Sequence, residues 1–140
     1  MSRWFPDITD PDGLEEARKA GFWGACAFAA MNGIGIVFLF FTGRTPNLGQ
    51  PTSDITLPLL GIAFELVLVL VAAWRLKVGK GAFWGAAIVL LFIVEVVGKI
   101  AAGTTNVGWM IAYAAIMIAL VNGVRGAWWR RNQINAEVFD

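Results

Sequence analysis

Four stretches of this chain are long and apolar enough to cross a bilayer, and they constrain its fold more than any motif does. A helix needs about 20 apolar residues to traverse roughly 30 Å of hydrocarbon. Residues 20–42 contain no charged side chain, and residues 55–74, 82–102 and 107–124 contain three between them, Glu65, Glu95 and Lys99. Lipid cannot hydrogen-bond to an exposed backbone, so long apolar runs without strand-like alternation predict helices. The expected fold is all-α, a polytopic membrane protein whose four transmembrane helices form an up-down-up-down bundle.

The segments between the spans support this division. Residues 1–19 are polar and acidic apart from Trp4-Phe5-Pro6, and Asp10-Pro11 suits an N-cap followed by the first position of a short helix. Asp12 with Glu15 offers a capping box one step further on. Residues 43–54 hold prolines, glycines and polar side chains and predict a loop, with Ser53 or Asp54 capping the second span. Residues 75–81 and 103–106 are too short for anything but tight connections, so spans two to four are antiparallel neighbours in sequence order. Residues 125–140 form a tail that starts with aromatic and basic side chains.

Composition narrows the function classes. With 58% hydrophobic residues and a mean hydropathy of +0.67, the chain departs from the soluble globular class. A formal charge of +1 argues against a nucleic-acid partner, which would call for a concentrated basic face. The absence of histidine removes the usual general base, haem ligand and zinc ligand, so no catalytic residue, metal site or cofactor is expected. Cys26, the only cysteine, has no internal disulfide partner and reads as a small buried residue.

Ionisable groups in hydrocarbon are expensive and need a partner, a proton or a wet cavity. Glu95 and Lys99 are four apart with the acid first, the favourable order for a helical ion pair, and Lys99 lies near enough to the outer end of its span to snorkel. Glu65, near the middle of span two, has only Gly61, Ile62, Leu68 and Val69 at helical spacing around it. It therefore needs either a proton or a partner on another helix, for which Lys99 and Asn32 of span one are the candidates. Two glutamates and one lysine leave one negative charge over, which a proton shared between Glu65 and Glu95 would remove.

Small residues recur at helical spacing as Ala25, Ala29 and Gly33 in span one and as Gly108, Ala112, Ala115, Ala119 and Gly123 in span four, ridges that permit close helix approach. Trp4, Trp74, Trp109, Trp128, Trp129, Arg130 and Arg131 fit interfacial anchors. Outside the spans, nine Lys and Arg residues lie in the N-terminal segment, the second loop and the tail, against Arg44 alone in the first loop and none in the third. The positive-inside rule then puts both termini in the cytoplasm of a multi-pass inner-membrane protein.

The second half, through Phe64-Glu65, Ala72-Ala73-Trp74-Arg75, Val94-Glu95-Val96-Val97-Gly98-Lys99-Ile100 and Val121-Asn122-Gly123-Val124-Arg125-Gly126, resembles a loose group of uncharacterised small bacterial inner-membrane proteins. That resemblance implies a four-helix topology and no activity. Small multidrug exporters also have four helices, but their essential glutamate lies in the first span, where this chain has Asn32. Beyond the lipid bilayer, the expected partners are other membrane-protein subunits or further copies of the chain. The leading expectation is a non-catalytic accessory subunit of a membrane complex, with a homo-oligomeric channel or proton/cation-coupled transporter as the alternative.

Overall fold

The computed structural model describes residues 4–45 and 54–139, with side chains as far as Ile134. It contains four helices, α1 (Pro11–Thr42), α2 (Thr56–Val78), α3 (Ala82–Ala101) and α4 (Val107–Phe139), and no strand among the described residues. Each is long and apolar enough to cross a membrane, and the chain is a small multi-pass integral membrane protein. Large apolar side chains cover the outside of the bundle, among them Phe41 at 87% and Leu57 at 77% exposure, a surface suited to lipid and untenable in water.

Consecutive helices pack on one another, α1 also packs on α4, and the diagonal pairs barely meet. The result is a closed square of helices. The start of α1, the end of α4 and the α2–α3 turn lie at one end, termed here the terminal end. The C-terminal end of α1, the start of α2 and the α3–α4 turn lie at the far end.

Three boundaries differ from the sequence expectation. α1 is one continuous helix from Pro11, where Asp10 accepts the Gly13 N–H (3.4 Å), so the cap is Asp10 rather than a box at Asp12; Glu15 instead pairs with Lys19 at 2.8 Å. α2 continues past Trp74 to Val78 because Leu76 extends its buried stripe, and it stops where Gly79 turns left-handed (φ 75°). α4 does not end at Val124 but runs on to Phe139, held against α1 where Gly126 faces Ala17 and Leu14. At about 48 Å, α1 exceeds the hydrocarbon thickness by several turns, and α4 is as long. The excess of both projects together at the terminal end.

α2 and α3 start at the N-caps Ile55 and Gly81, neither with a side-chain cap hydrogen bond, so Asp54, expected as a cap of α2, lies one residue before Ile55. Asp54 accepts the Thr56 N–H (2.8 Å), and that bond together with the Thr56 hydroxyl holds its carboxyl below the usual carboxylate range. Asn106 Oδ1 accepts the Trp109 N–H (3.0 Å) at the start of α4. Of the expected caps, Ser53 lies outside the described residues.

The α1–α4 seam is the tightest in the bundle. Gly21 and Gly123 meet backbone to backbone, and a Cβ on Gly24 would lie 2.9 Å from Ala119 Cβ. The expected ridges are therefore only partly used. Gly21 and Gly24 of α1 meet Gly123 and Ala119 of α4, with Ala17 against Gly126, whereas the expected Gly33 takes no part. Ala25 and Ala29 are buried in the core, Gly33 has open space around it, and Gly108 and Ala115 face outward.

The N-terminal segment docks on this pair. Asn122, buried on α4, donates to the Trp4 carbonyl (2.7 Å) and accepts from Arg125 (3.2 Å), while the Arg125 guanidinium lies over the Phe5 ring (5.6 Å). Asn122→Ala is expected to cost about 1–2 kcal/mol, the usual result of removing one partner of a buried hydrogen bond. It should also release residues 4–10, seen as faster proteolytic clipping there with the bundle intact.

Candidate functional site

The polar groups inside the membrane collect at one level in the far half of the bundle. Helix geometry puts them together. Asn32 lies ten residues before the end of α1 and Glu65 nine residues into α2, while Glu95 lies six residues before the end of α3 and Tyr113 six residues into α4. At 1.5 Å per residue, all four sit about 9–15 Å below the far end.

Glu95 and Lys99 form an ion pair along α3, with side-chain exposures of only 6% and 14%. Lys99 does not snorkel outward. Side chains on a helix tilt towards its N-terminus, which for α3 lies at the terminal end, so Lys99 is directed inward onto Glu95. Its ammonium also lies 5.6 Å from the centre of the Tyr113 ring, a cation–π distance.

Glu65 reaches this group from α2. Its carboxylate interacts with Glu95, with Asn32 and, more weakly, with Lys99. Three atoms nevertheless have no hydrogen bond of normal geometry within the chain, namely Glu65 Oε1, Glu95 Oε2 and Asn32 Nδ2, and all three are buried. Lys99 satisfies one oxygen of one carboxylate and leaves the rest of the cluster one positive partner short. A proton held between the two acids, or a small cation, meets that demand without other change.

A cavity of about 310 Å3 lies against the cluster. Asn32, Glu95 and Lys99 form its polar part, with Ile62 from α2, and it extends towards the far end along Phe38, Thr104 and Trp109. Towards the terminal end it is closed. Phe28 and Phe92, each one helical turn further in than Asn32 and Glu95, pack edge to face across the bundle at 4.9 Å and are fully buried. Val69, one turn beyond Glu65, is likewise fully buried. Phe92 also contacts Tyr113 edge-on at 6.1 Å, which joins this apolar layer to the wall of the site.

The structure thus brings Asn32, Glu65, Glu95 and Lys99 into one site. Of the seven expected anchors, Trp4, Trp74 and Trp128 expose most of their surface, Arg131 is exposed, and Trp129 and Arg130 are partly buried. Trp109 has a second role, since it stacks on Tyr113 at 6.0 Å and lines the cavity. Tyr113 and Thr104 are site residues not anticipated from sequence. The available signal for Tyr113 is that the only tyrosine of the chain falls one helical turn beyond Trp109 in an otherwise aliphatic span.

No protein-family model, curated protein or solved structure shows significant similarity to this chain.

Proposed function

We propose that this membrane protein binds a small cationic ligand from the far end of the bundle and exchanges it for a proton held between Glu65 and Glu95. The observation that carries the proposal is a cavity bordered by Asn32, Glu95 and Lys99, with Glu65 behind Glu95 and three polar atoms of the cluster unpartnered. A cavity of about 310 Å3 suits a small organic cation, since pockets for small molecules start at roughly this size. The apolar wall at Ile62 and Phe38 suits its carbon skeleton. With both termini cytoplasmic, the ligand enters from outside the inner membrane. The layer of Phe28 and Phe92 ends the path, so transport requires that layer to part, and binding does not. Glu65 and Glu95 hold the exchanged proton, Lys99 sets the resting charge, and Asn32 orients Glu65.

Tetramethylammonium tests this directly because it carries no dissociable proton. Added to purified protein in weakly buffered detergent, it is expected to release protons from the wild type and none from Glu65→Gln. Equal release from both, or no release from the wild type, would rule out the exchange.

A second reading, an accessory subunit of a larger complex, is favoured by the outward-facing part of the α4 ridge. Gly108 and Ala115 offer a smooth strip on which another helix can pack. Mild-detergent purification should then yield a complex whose mass Ala115→Trp reduces. A monomer of unchanged mass in both proteins would remove this reading.

A further inference from the structure

Basic side chains from three helices converge on the α2–α3 turn at the terminal end, and among the described residues none of them forms an ion pair. A Cβ on Gly79 would lie 2.6 Å from Arg130 Nη1 and 3.3 Å from Arg18 Nε, so guanidiniums from α4 and α1 crowd onto one glycine at the end of α2. Arg18 donates to the Lys77 carbonyl, one of the unpaired acceptors at a helix C-terminus. Its Nε remains buried without a hydrogen-bond partner, as does that of Arg75. Lys77 is turned onto the Phe22 ring at 5.3 Å. Among the described residues the ion pairs are Lys19–Glu15 and Lys99–Glu95, and neither reaches this group.

A cavity of about 330 Å3 opens beside the same glycine. Lys80 and Arg131 border it on one side, while Phe83, Ala127 and Ile134 give it an apolar wall. The positive-inside bias accounts for basic residues near this end of the bundle. It does not account for two guanidiniums drawn onto one position, nor for a half-apolar slot next to them.

We infer that this end binds the phosphate of an anionic phospholipid. Arg18 and Arg130 hold the phosphate oxygens, with Lys80 and Arg131 at its outer side, and the glycerol and first acyl carbons lie along Phe83, Ala127 and Ile134. Guanidinium matches phosphate with paired donors, and a bound anion relieves the repulsion between the two arginines. The apolar wall gives a free phosphate ion nothing to bind. The exposed Trp74 and Trp128 put the slot at headgroup depth.

The test uses the full chain reconstituted in phosphatidylcholine bilayers, with trace spin-labelled phosphatidylglycerol or spin-labelled phosphatidylcholine. The wild type is expected to immobilise phosphatidylglycerol at least about fivefold more strongly, the equivalent of one well-placed basic contact. Arg130→Gln combined with Asn132→Arg keeps the net charge but moves the guanidinium, and should bring the two lipids close to parity. Lys80→Gln, at an exposed turn position where folding is not at stake, should lower the preference by about half or more. An unchanged preference in either variant overturns the site and leaves diffuse charge attraction. Displacement of phosphatidylglycerol by millimolar inorganic phosphate overturns the lipid assignment in favour of a free anion, and no displacement is expected.

Discussion

Gly21→Leu is expected to destabilise the bundle by at least about 3 kcal/mol, more than a well-accommodated overpacking change costs, because nothing at the contact can rotate away. The groups opposite are the backbone atoms of Gly123, so a side chain at residue 21 can be housed only by driving α1 and α4 apart. That separation also uncouples Gly24 from Ala119 and Gly126 from Ala17 along the same seam. Unfolding by SDS titration in bicelles measures the effect. Gly33→Leu is the matched control on the same helix, since no atom lies within 4 Å of its added Cβ, and its stability should stay within about 1 kcal/mol of the wild type. Equal losses at the two positions would mean that helix propensity, and not the close approach of backbones, sets the cost.

Lys99→Met should cost a comparable amount, about 3–5 kcal/mol, by leaving Glu95 and Glu65 facing each other with no cation between them. Part of the loss is the contact with Tyr113. The double variant Glu95→Gln, Lys99→Met removes both members of the ion pair and should recover most of the stability, because a pair in low dielectric recovers little beyond the cost of desolvating its charges. A double-mutant cycle from the same unfolding measurements separates these contributions. If the single and double variants are equally unstable, the ammonium acts through its aliphatic stem and the aromatic contact alone.

These two sites differ in how far sequence alone reveals them. The Glu95–Lys99 pair is legible because both partners lie on one helix, where a spacing of four residues fixes their neighbourhood whatever the rest of the chain does. The four helices are legible for the same reason: length and apolarity are local properties. Which face of each helix points inward is not. In a soluble helix the apolar stripe marks the buried face, whereas a helix in lipid is apolar on every side and its pattern loses that information. Gly33 thus looks as suited to a close helix approach on paper as Gly21, and only the packing against α4 selects the latter. Tyr113 and Trp109 were obscured by the same ambiguity, since their place beside Lys99 depends on how α4 is rotated against α3. The end of α4 was missed because Trp128-Trp129-Arg130-Arg131 has the composition of an anchor, which says nothing about where helical hydrogen bonding stops.

The closed square of helices has a consequence for biosynthesis. Three of its sides join helices that follow one another along the chain, so each can form as soon as the second member has entered the membrane. The fourth side joins the first helix to the last, across roughly a hundred residues of intervening chain. Until α4 is made, α1 must wait with its glycine face uncovered and Trp4 without the amide of Asn122. Contacts so distant in sequence are the slow ones to form. Assembly therefore finishes at the seam with the least tolerance for error, and Trp4 gains the amide of Asn122 only once the ring has closed.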